Sequence, residues 1–190
     1  MVGMNATDIL RREHELILRG VAVLERMAGR VQSGAHVPAA DAAAVIEFIR
    51  KFADGCHHAK EEGVLFPAME AAGMPREGGP IAVMLAEHVQ GRAAVALMAG
   101  AAANFGTDSA AQQVFARGAS AYAALLTHHI GKENNILFRM ADNILGANKD
   151  AELVQAYGEH EARATGPGEH ERFHRVIDEL ERAYPPSPAA

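Results

Sequence analysis

Apolar residues recur along this chain with the period of an α-helix, and this period constrains the fold more than any other feature. The first long segment alternates steps of three and four between its core positions, as a helix packed in a bundle does: Leu10, His14, Ile17, Val21, Leu24 and Ala28. A neutral imidazole among aliphatic neighbours needs partners for both ring nitrogens. We therefore expect a group across the bundle to bind His14.

Glycine, proline and serine divide the chain into four long helical segments with short linkers. We predict helices at about 7–31, 38–72, 81–104 and 109–145, the last with Thr107 and Asp108 as N-caps. Short linkers make neighbouring helices antiparallel, so the predicted all-α fold is an up-down-up-down antiparallel four-helix bundle. Residues 1–146 would form the bundle. Residues 147–190 would form a short C-terminal helical appendage, broken at residues 166–168, and a frayed tail.

The composition excludes several classes of protein. The net charge is −6 over 190 residues, which argues against binding to nucleic acid or to an anionic membrane surface. The single cysteine, Cys56, excludes a disulfide framework and a cysteine-rich metal site, and we predict that it is a small buried hydrophobe. The N-terminus has no signal-peptide pattern, and the apolar run Ala93–Ala103 is too short to span a bilayer. We therefore expect a cytoplasmic protein.

Two segments share the pattern His-x-x-Lys-Glu-x-x-(Val/Ile)-Leu-Phe. One begins at His57 and the other at His129, and the pattern predicts two halves related by a pseudo-two-fold axis. Residues four apart lie on one face of a helix, so each histidine and the glutamate after it can reach the same region. The pairs are His57 with Glu61 and His129 with Glu133.

A helical wheel at about 100° per residue selects which side chains of each segment face the core. It groups six residues around His57: Ile46, Ala53, His57, Glu61, Val64 and Ala68. It groups six around His129: Tyr122, Leu125, His129, Glu133, Ile136 and Met140. His58 and Glu62 fall toward the polar side, although His58 stays a possible additional ligand. Tyr122 is either a core residue or a hydrogen-bond donor to a ligand, and Asp54 is either a residue that orients an imidazole or an exposed helix residue.

The third helix places His88 on its core face, so each long helix contributes at least one histidine. No lysine or arginine lies squarely on these faces, although Arg92 comes close, and burying two carboxylates without a counter-charge is costly. Metal cations are the natural compensation, in a two-metal site bridged by the two glutamates. Imidazole and carboxylate ligands suit iron, with manganese or zinc as possible substitutes. The predicted ligands are His14, His57, Glu61, His88, His129 and Glu133.

Four imidazoles, two bridging glutamates and one bridging oxygen would fill about ten of the roughly twelve positions of two octahedral ions. About two positions would stay open for water or a small ligand.

The order of these motifs resembles the hemerythrin-like, HHE cation-binding family across about 140 residues, with some resemblance to its di-iron branch that repairs iron–sulfur clusters. The resemblance implies an oxo- or hydroxo-bridged pair of iron ions that binds, senses or reacts with dioxygen, nitric oxide or peroxide, with a reductase or protein partner still open. The sequence departs from oxygen-carrying members, which have another histidine four positions after His88, where this chain has Arg92. That departure favours redox chemistry over reversible oxygen carriage.

Three other interpretations stay open. Metal loading could control a partner surface, so that the chain acts as a signalling module without turnover. The sequence His170-Glu-Arg-Phe-His174 matches the His-Glu-x-x-His pattern of zinc metalloproteases. The apolar face of that helix favours a simple packing role instead. A surface metal site at His160, His170 and His174 is the third.

Overall fold

The computed structural model describes residues 5–105, 109–164, 166 and 168–186, and its regular structure is entirely helical. Helix α1 is Ala6–Gln32, α2 covers residues 39–71, α3 is Pro80–Ala102, α4 covers residues 109–144, α5 is Ala147–Ala164 and α6 is Glu169–Ala183. The predicted all-α class is confirmed, whereas the up-down order of the four long helices stays a prediction. The predicted N-caps Thr107 and Asp108 lie outside the described residues, as does Pro167.

Helices α2 and α4 are not uniform α-helices. Helix α2 consists of α-helical Ala39–Phe48, π-helical Ile49–His58 and Glu61–Leu65, and α-helical Phe66–Ala71. Helix α4 consists of α-helical Ser109–Lys132, π-helical Glu133–Leu137 and α-helical Phe138–Ile144. The N–H of Phe66 donates to the carbonyl of Glu61, and that of Phe138 donates to the carbonyl of Glu133. The two halves of the repeated motif thus share the same π turn, a feature that is frequent at functional sites.

The π turns shift which residues face the core. A π turn holds one more residue than an α turn, so the uniform wheel misplaces residues within each π turn. Ala68, beyond the first of these turns, is buried as the wheel predicts. We predicted both Val64 and Ile136 in the core. Val64 is half-buried, and Ile136 is 54% exposed. Leu65 and Leu137 take the core positions instead.

A layer of buried polar residues separates two apolar clusters. Along α1, Leu10 belongs to one cluster and Ile17 to the other, with His14 between them. The C-terminal helices contribute side chains to both clusters. Tyr157 of α5 packs in the cluster of Leu10, and Phe173 and Ile177 of α6 pack in the cluster of Ile17. The appendage therefore shares its apolar core with the bundle, while the predicted domain boundary at residue 146 stays a prediction.

Helix α3 has an unusual amount of exposed apolar surface. Val83, Val89 and Leu97 are all strongly exposed. By length and composition alone, Pro80–Ala102 would be able to cross a membrane, although our prediction considered only the shorter run Ala93–Ala103. One such helix is weak evidence, because the core helices of many soluble proteins pass the same test.

Candidate metal centre

The polar layer brings together all six predicted ligands and one more histidine, from the four long helices. Two groups of potential ligand atoms lie there, and within each group the atoms are within 4.8 Å of one another. We call them site A and site B. Site A contains His14, His57, Glu61 and Glu133, and site B contains His58, Glu61, His88 and His129. Each of these side chains is at most 5% exposed.

The two glutamates connect the sites. Oε1 of Glu61 lies 3.5 Å from Nε2 of His57, and its Oε2 lies 3.5 Å from Nε2 of His88. Glu133 is placed in the same way, with Oε2 3.2 Å from Nε2 of His14 and Oε1 3.2 Å from Nε2 of His129. Each carboxylate therefore presents one oxygen to each site, as a bridging ligand of two metal ions does.

Several of these atoms have no hydrogen-bond partner. They are Nε2 of His14, Nε2 of His57, and both oxygens of Glu61 and of Glu133, all of them buried. Orphaned buried polar atoms are rare and costly. In site B, Nε2 of His88 lies 3.1 Å from Nε2 of His129, close to the separation of two nitrogens that each lie ~2.1 Å from one ion. The donor set fits two metal cations.

Burial holds three of the imidazoles neutral. Burial lowers the pKa of His57 and of His58 to about 4 and that of His88 to about 3. A neutral ring has a free lone pair on one nitrogen, which is the form that binds a metal. These three rings are therefore ready to act as ligands at neutral pH. Burial acts to lower the pKa of His129 as well, but its hydrogen bonds and charge interactions with Glu133 and Glu87 raise it.

The pKa values of the two carboxylates are shifted in opposite directions. Burial and the neighbouring charge of Glu133 raise the pKa of Glu61 well above its usual range. Burial also acts to raise the pKa of Glu133, but the rings of His129 and His14 hold it below the usual range. Without cations, the raised pKa favours the protonated form of Glu61, and two divalent ions would remove the need for that proton.

Each histidine of the repeated motif is oriented by a glutamate on another helix. Nδ1 of His57 donates to Oε2 of Glu13 at 2.9 Å, and Nδ1 of His129 donates to Oε2 of Glu87 at 2.9 Å. The motif lysines complete the pattern, because Lys60 forms an ion pair with Glu13 and Lys132 forms one with Glu87. Such partners fix the ring orientation and raise the basicity of the ligand.

The histidines of α1 and α3 are oriented by residues of α4 and α2. Nδ1 of His14 donates to Oδ1 of Asn134 at 2.9 Å, and Nδ1 of His88 donates to Oε1 of Glu62 at 2.7 Å. Glu62 and Asn134 occupy equivalent positions of the repeated motif, directly after the bridging glutamates. The contacts therefore follow the pseudo-two-fold relation that the sequence predicts.

His58 breaks this relation, and its predicted orientation toward the polar side was wrong. It is 5% exposed, and its ring stacks on that of His88 with a centroid separation of 4.0 Å. The physical reason is the π-helical geometry of Ile49–His58, which turns consecutive residues by less than an α-helix does. The equivalent position in the other half is Ile130, which packs in an apolar cluster. Site B therefore has three imidazoles and site A has two.

Tyr122 and Asp54 lie behind site B. Tyr122 is 2% exposed, and with Asp54 and His58 it lines a cavity of about 120 Å³. Nδ1 of His58 lies 3.4 Å from Oδ1 of Asp54, a long contact. Arg92 contacts Asp54 and Glu62 at 2.7–2.8 Å.

The C-terminal histidines do not form the predicted surface site. His170 lies near Cys56, Glu13 and Glu161, whereas the described residues place neither His160 nor His174 in a group of metal-ligating atoms. Cys56 is buried, as predicted, and burial raises the pKa of its thiol to about 11. Lys60 contacts Glu13 and Glu161, so this group already has its own cation. Among the described residues, no group of three metal-ligating side chains contains both His170 and His174, as a zinc protease site would.

Sequence reasoning missed the residues that orient the ligands: Glu13, Lys60, Glu62, Glu87, Lys132 and Asn134. Two signals were available. Glu13 and Glu87 directly precede His14 and His88, and the lysines belong to the repeated motif itself. We predicted no lysine squarely on the core faces, but the structure buries Lys60, which is 0% exposed.

Comparison with known proteins gives a family match and weak relatives. Residues 5–141 match the family model described as the hemerythrin HHE cation-binding domain. Three uncharacterized proteins, one from Mycobacterium bovis and two from strains of Mycobacterium tuberculosis, are each 24% identical over 180 residues. Those matches cover 94% of this chain and 69% of each relative. No solved structure matches this chain significantly.

Proposed function

The chain belongs to the hemerythrin HHE cation-binding domain family, and we propose that it holds two iron ions, one in site A and one in site B. We further propose that this pair binds or reacts with a small ligand: dioxygen, nitric oxide or peroxide. The observation that carries the proposal is the position of Glu61 and Glu133, each of which presents one carboxylate oxygen to each site.

The donor chemistry favours iron. The two sites offer imidazole nitrogens and carboxylate oxygens and no thiolate, a set that suits iron and also admits manganese or zinc. Bridged iron supplies electrons to a bound small molecule, which zinc cannot do. The residues of this chain would position the ions, neutralise their charge and keep the surrounding volume dry.

The number of open positions follows from the ligand set. Two octahedral ions have about twelve positions in total. Five imidazoles, four carboxylate oxygens and one bridging oxygen would fill about eleven of them. Our count from four imidazoles left about two open, so the inclusion of His58 changes the expectation to about one. A single open position suits one small ligand bound at its end.

Metal analysis with an optical spectrum tests the proposal. We expect protein purified in air to contain two irons per chain and to absorb in the near ultraviolet, where an oxo bridge has charge-transfer bands. Glu133→Ala should lose iron, whereas His128→Ala should not, because His128 is exposed and contacts only the backbone of its own helix. Full iron content in Glu133→Ala would refute the assignment.

Turnover separates an enzyme from a sensor. With peroxide or nitric oxide in excess, an enzyme consumes many equivalents per iron pair in the presence of a reductant. A signalling module binds one equivalent and stops. We propose consumption, and binding limited to one equivalent would favour the signalling module.

A further inference from the structure

The five histidines of the centre are not held equally. Four of them donate from Nδ1 to an oxygen at 2.7–2.9 Å: His14, His57, His88 and His129. The Nδ1 contact of the fifth, His58, is the 3.4 Å one to Asp54, and its ring otherwise stacks on that of His88. Hydrogen bonds at that distance are weak. His58 is therefore the least firmly oriented imidazole.

Arg92 explains why Asp54 holds His58 so weakly. The guanidinium of Arg92 lies 2.8 Å from Oδ1 of Asp54 through Nε and 2.7 Å through Nη2. This is the same oxygen that faces His58. The two contacts from Arg92 are short and join opposite full charges, whereas the His58 contact is 3.4 Å long, so the guanidinium dominates this carboxylate oxygen. The second contact of Arg92, with Glu62, keeps the guanidinium in place.

Behind the ring of His58 there is space. The cavity of about 120 Å³ exceeds by far the ~10–15 Å³ that one water needs. Its apolar wall is formed by small or aliphatic side chains and one aromatic ring, and its polar wall by Asp54, His58 and two arginines: Ile49, Arg50, Asp54, His58, Gly91, Arg92, Val95, Ala96 and Tyr122. Site A has no counterpart of His58, because Ile130 stands at the equivalent position. The weak contact, the dominating arginine and the cavity all concern one residue.

We propose that His58 is an exchangeable ligand of site B, which turns into this cavity and leaves its coordination position to a small anion or diatomic molecule. This inference rests on the proposed two-iron centre. No covalent bond of the protein changes: one nitrogen leaves the ion, and one atom of the incoming ligand replaces it. The other four histidines stay in place because short hydrogen bonds orient them.

Azide is the probe, a small anion whose binding to iron changes the optical spectrum. In iron-loaded wild-type protein, the first equivalent of azide would take the open position of site A, which has two imidazoles where site B has three. A second equivalent should enter site B at a rate that levels off at high azide, because departure of His58 becomes limiting. His58→Ala should keep two irons per chain and bind the second equivalent at a rate that rises linearly with concentration. If the departed state is populated at about 10% or less, the variant should bind about tenfold faster or more.

Two controls separate His58 from histidines in general. His128→Ala should behave as the wild type does, because it changes an exposed imidazole outside the site. His129→Ala should lose iron, since this ring is held by Glu87. Loss of iron from His58→Ala, or the same azide kinetics in His58→Ala and wild type, would overturn the proposal. A wild-type chain without two irons would instead refute the proposed function itself.

Filling the cavity tests its role. Val95 lines it and is 7% exposed, so Val95→Phe should occupy the space that the ring needs and slow azide binding in the wild-type background. Ala96→Leu, at a more exposed position of the same wall, is the alternative if Val95→Phe does not fold. In the His58→Ala background, the same change should leave the rate unaltered. Equal slowing in both backgrounds would show that the cavity is a route for azide, and the proposal would fail.

Discussion

The imidazole of His129 and the carboxylate of Glu87 lie on different helices, with Nδ1 2.9 Å from Oε2. Lys132 forms an ion pair with the same carboxylate. The same arrangement recurs around Glu13, so two symmetric hydrogen-bonded chains hold one ligand of each site. The lysine is buried in the arrangement around Glu13 and partly exposed in the one around Glu87, so the two can be compared in paired experiments.

Glu87→Gln should weaken metal binding without removing a ligand. The amide keeps the size of the side chain but loses the charge that makes the His129 ring a stronger ligand. We expect the metal affinity to fall about 10–100-fold, measured by competition with a chelator. Glu77→Gln is the control, because Glu77 is exposed and lies outside the site. Unchanged affinity in Glu87→Gln would mean that the carboxylate does not tune its histidine.

The two motif lysines should differ in their effect on stability. Lys60 is 0% exposed in its ion pair with Glu13, whereas Lys132 is 38% exposed in its pair with Glu87. Lys60→Met leaves a buried carboxylate without its counter-charge, at a cost of about 3–5 kcal/mol. Lys132→Met should cost about 1 kcal/mol or less. Urea unfolding of metal-free protein measures both.

A double variant checks the cause. Adding Glu13→Gln to Lys60→Met removes the uncompensated charge and should recover part of the lost free energy of unfolding. Equal costs for the two lysine variants, or no recovery in the double variant, would contradict the assignment of Lys60 to a buried pair.

The metal-free protein should be destabilised by acid. Folding lowers the pKa values of His57 and His58 from 6.5 to about 4 and that of His88 from 6.5 to about 3, chiefly through burial. Below pH 6.5 the unfolded chain binds these protons and the folded chain does not. The stability that these groups contribute is therefore complete above pH 6.5 and is lost as the pH falls to about 4 and below. Glu61 and His129, whose pKa values are raised on folding, act in the opposite direction.

Urea unfolding at a series of pH values measures this dependence. We expect the free energy of unfolding to fall between pH 6.5 and about 4. His58→Gln should reduce the slope by about one proton. His128→Gln serves as the exposed control. A flat profile, or a slope that His58→Gln leaves unchanged, would be incompatible with neutral buried rings.

Phe173→Ala should destabilise the whole molecule. The Phe173 ring is 1% exposed and contacts the rings of Phe48 and Phe52 at centroid separations of 5.8 and 5.9 Å. We expect a loss of about 3–5 kcal/mol in a single unfolding transition, because α6 shares its core with the bundle. Val176→Ala, on the partly buried side of α6, should cost less. Separate transitions for the bundle and α6 would instead support an independent appendage.

That the six candidate ligands would meet in one place was predictable because it depends on local spacing. A histidine and a glutamate four residues apart lie on one helix face whatever the rest of the fold does, and the motif repeats at His57 and His129. The core position of His14 follows from the same period. The family model, which covers residues 5–141, confirms membership of the cation-binding family.

The position of His58 depended on backbone geometry that no residue pattern revealed. Whether the backbone N–H bonds to the carbonyl four or five residues earlier is decided by packing against neighbouring helices, and a π turn moves the side chains within it to another part of the helix surface. The same shift exposes Ile136 and buries Leu137. A wheel with a constant angle cannot represent it.

The amino-acid sequence by itself determined a helical chain with histidines and acids on the inner faces of its helices, because helical period and composition are local properties. Only the tertiary structure decided which partner orients each ring. Those hydrogen bonds join different helices, from Glu13 to His57 and from Glu87 to His129. It also decided that His58 enters the centre with space behind it, because cavities arise from the packing of helices against one another.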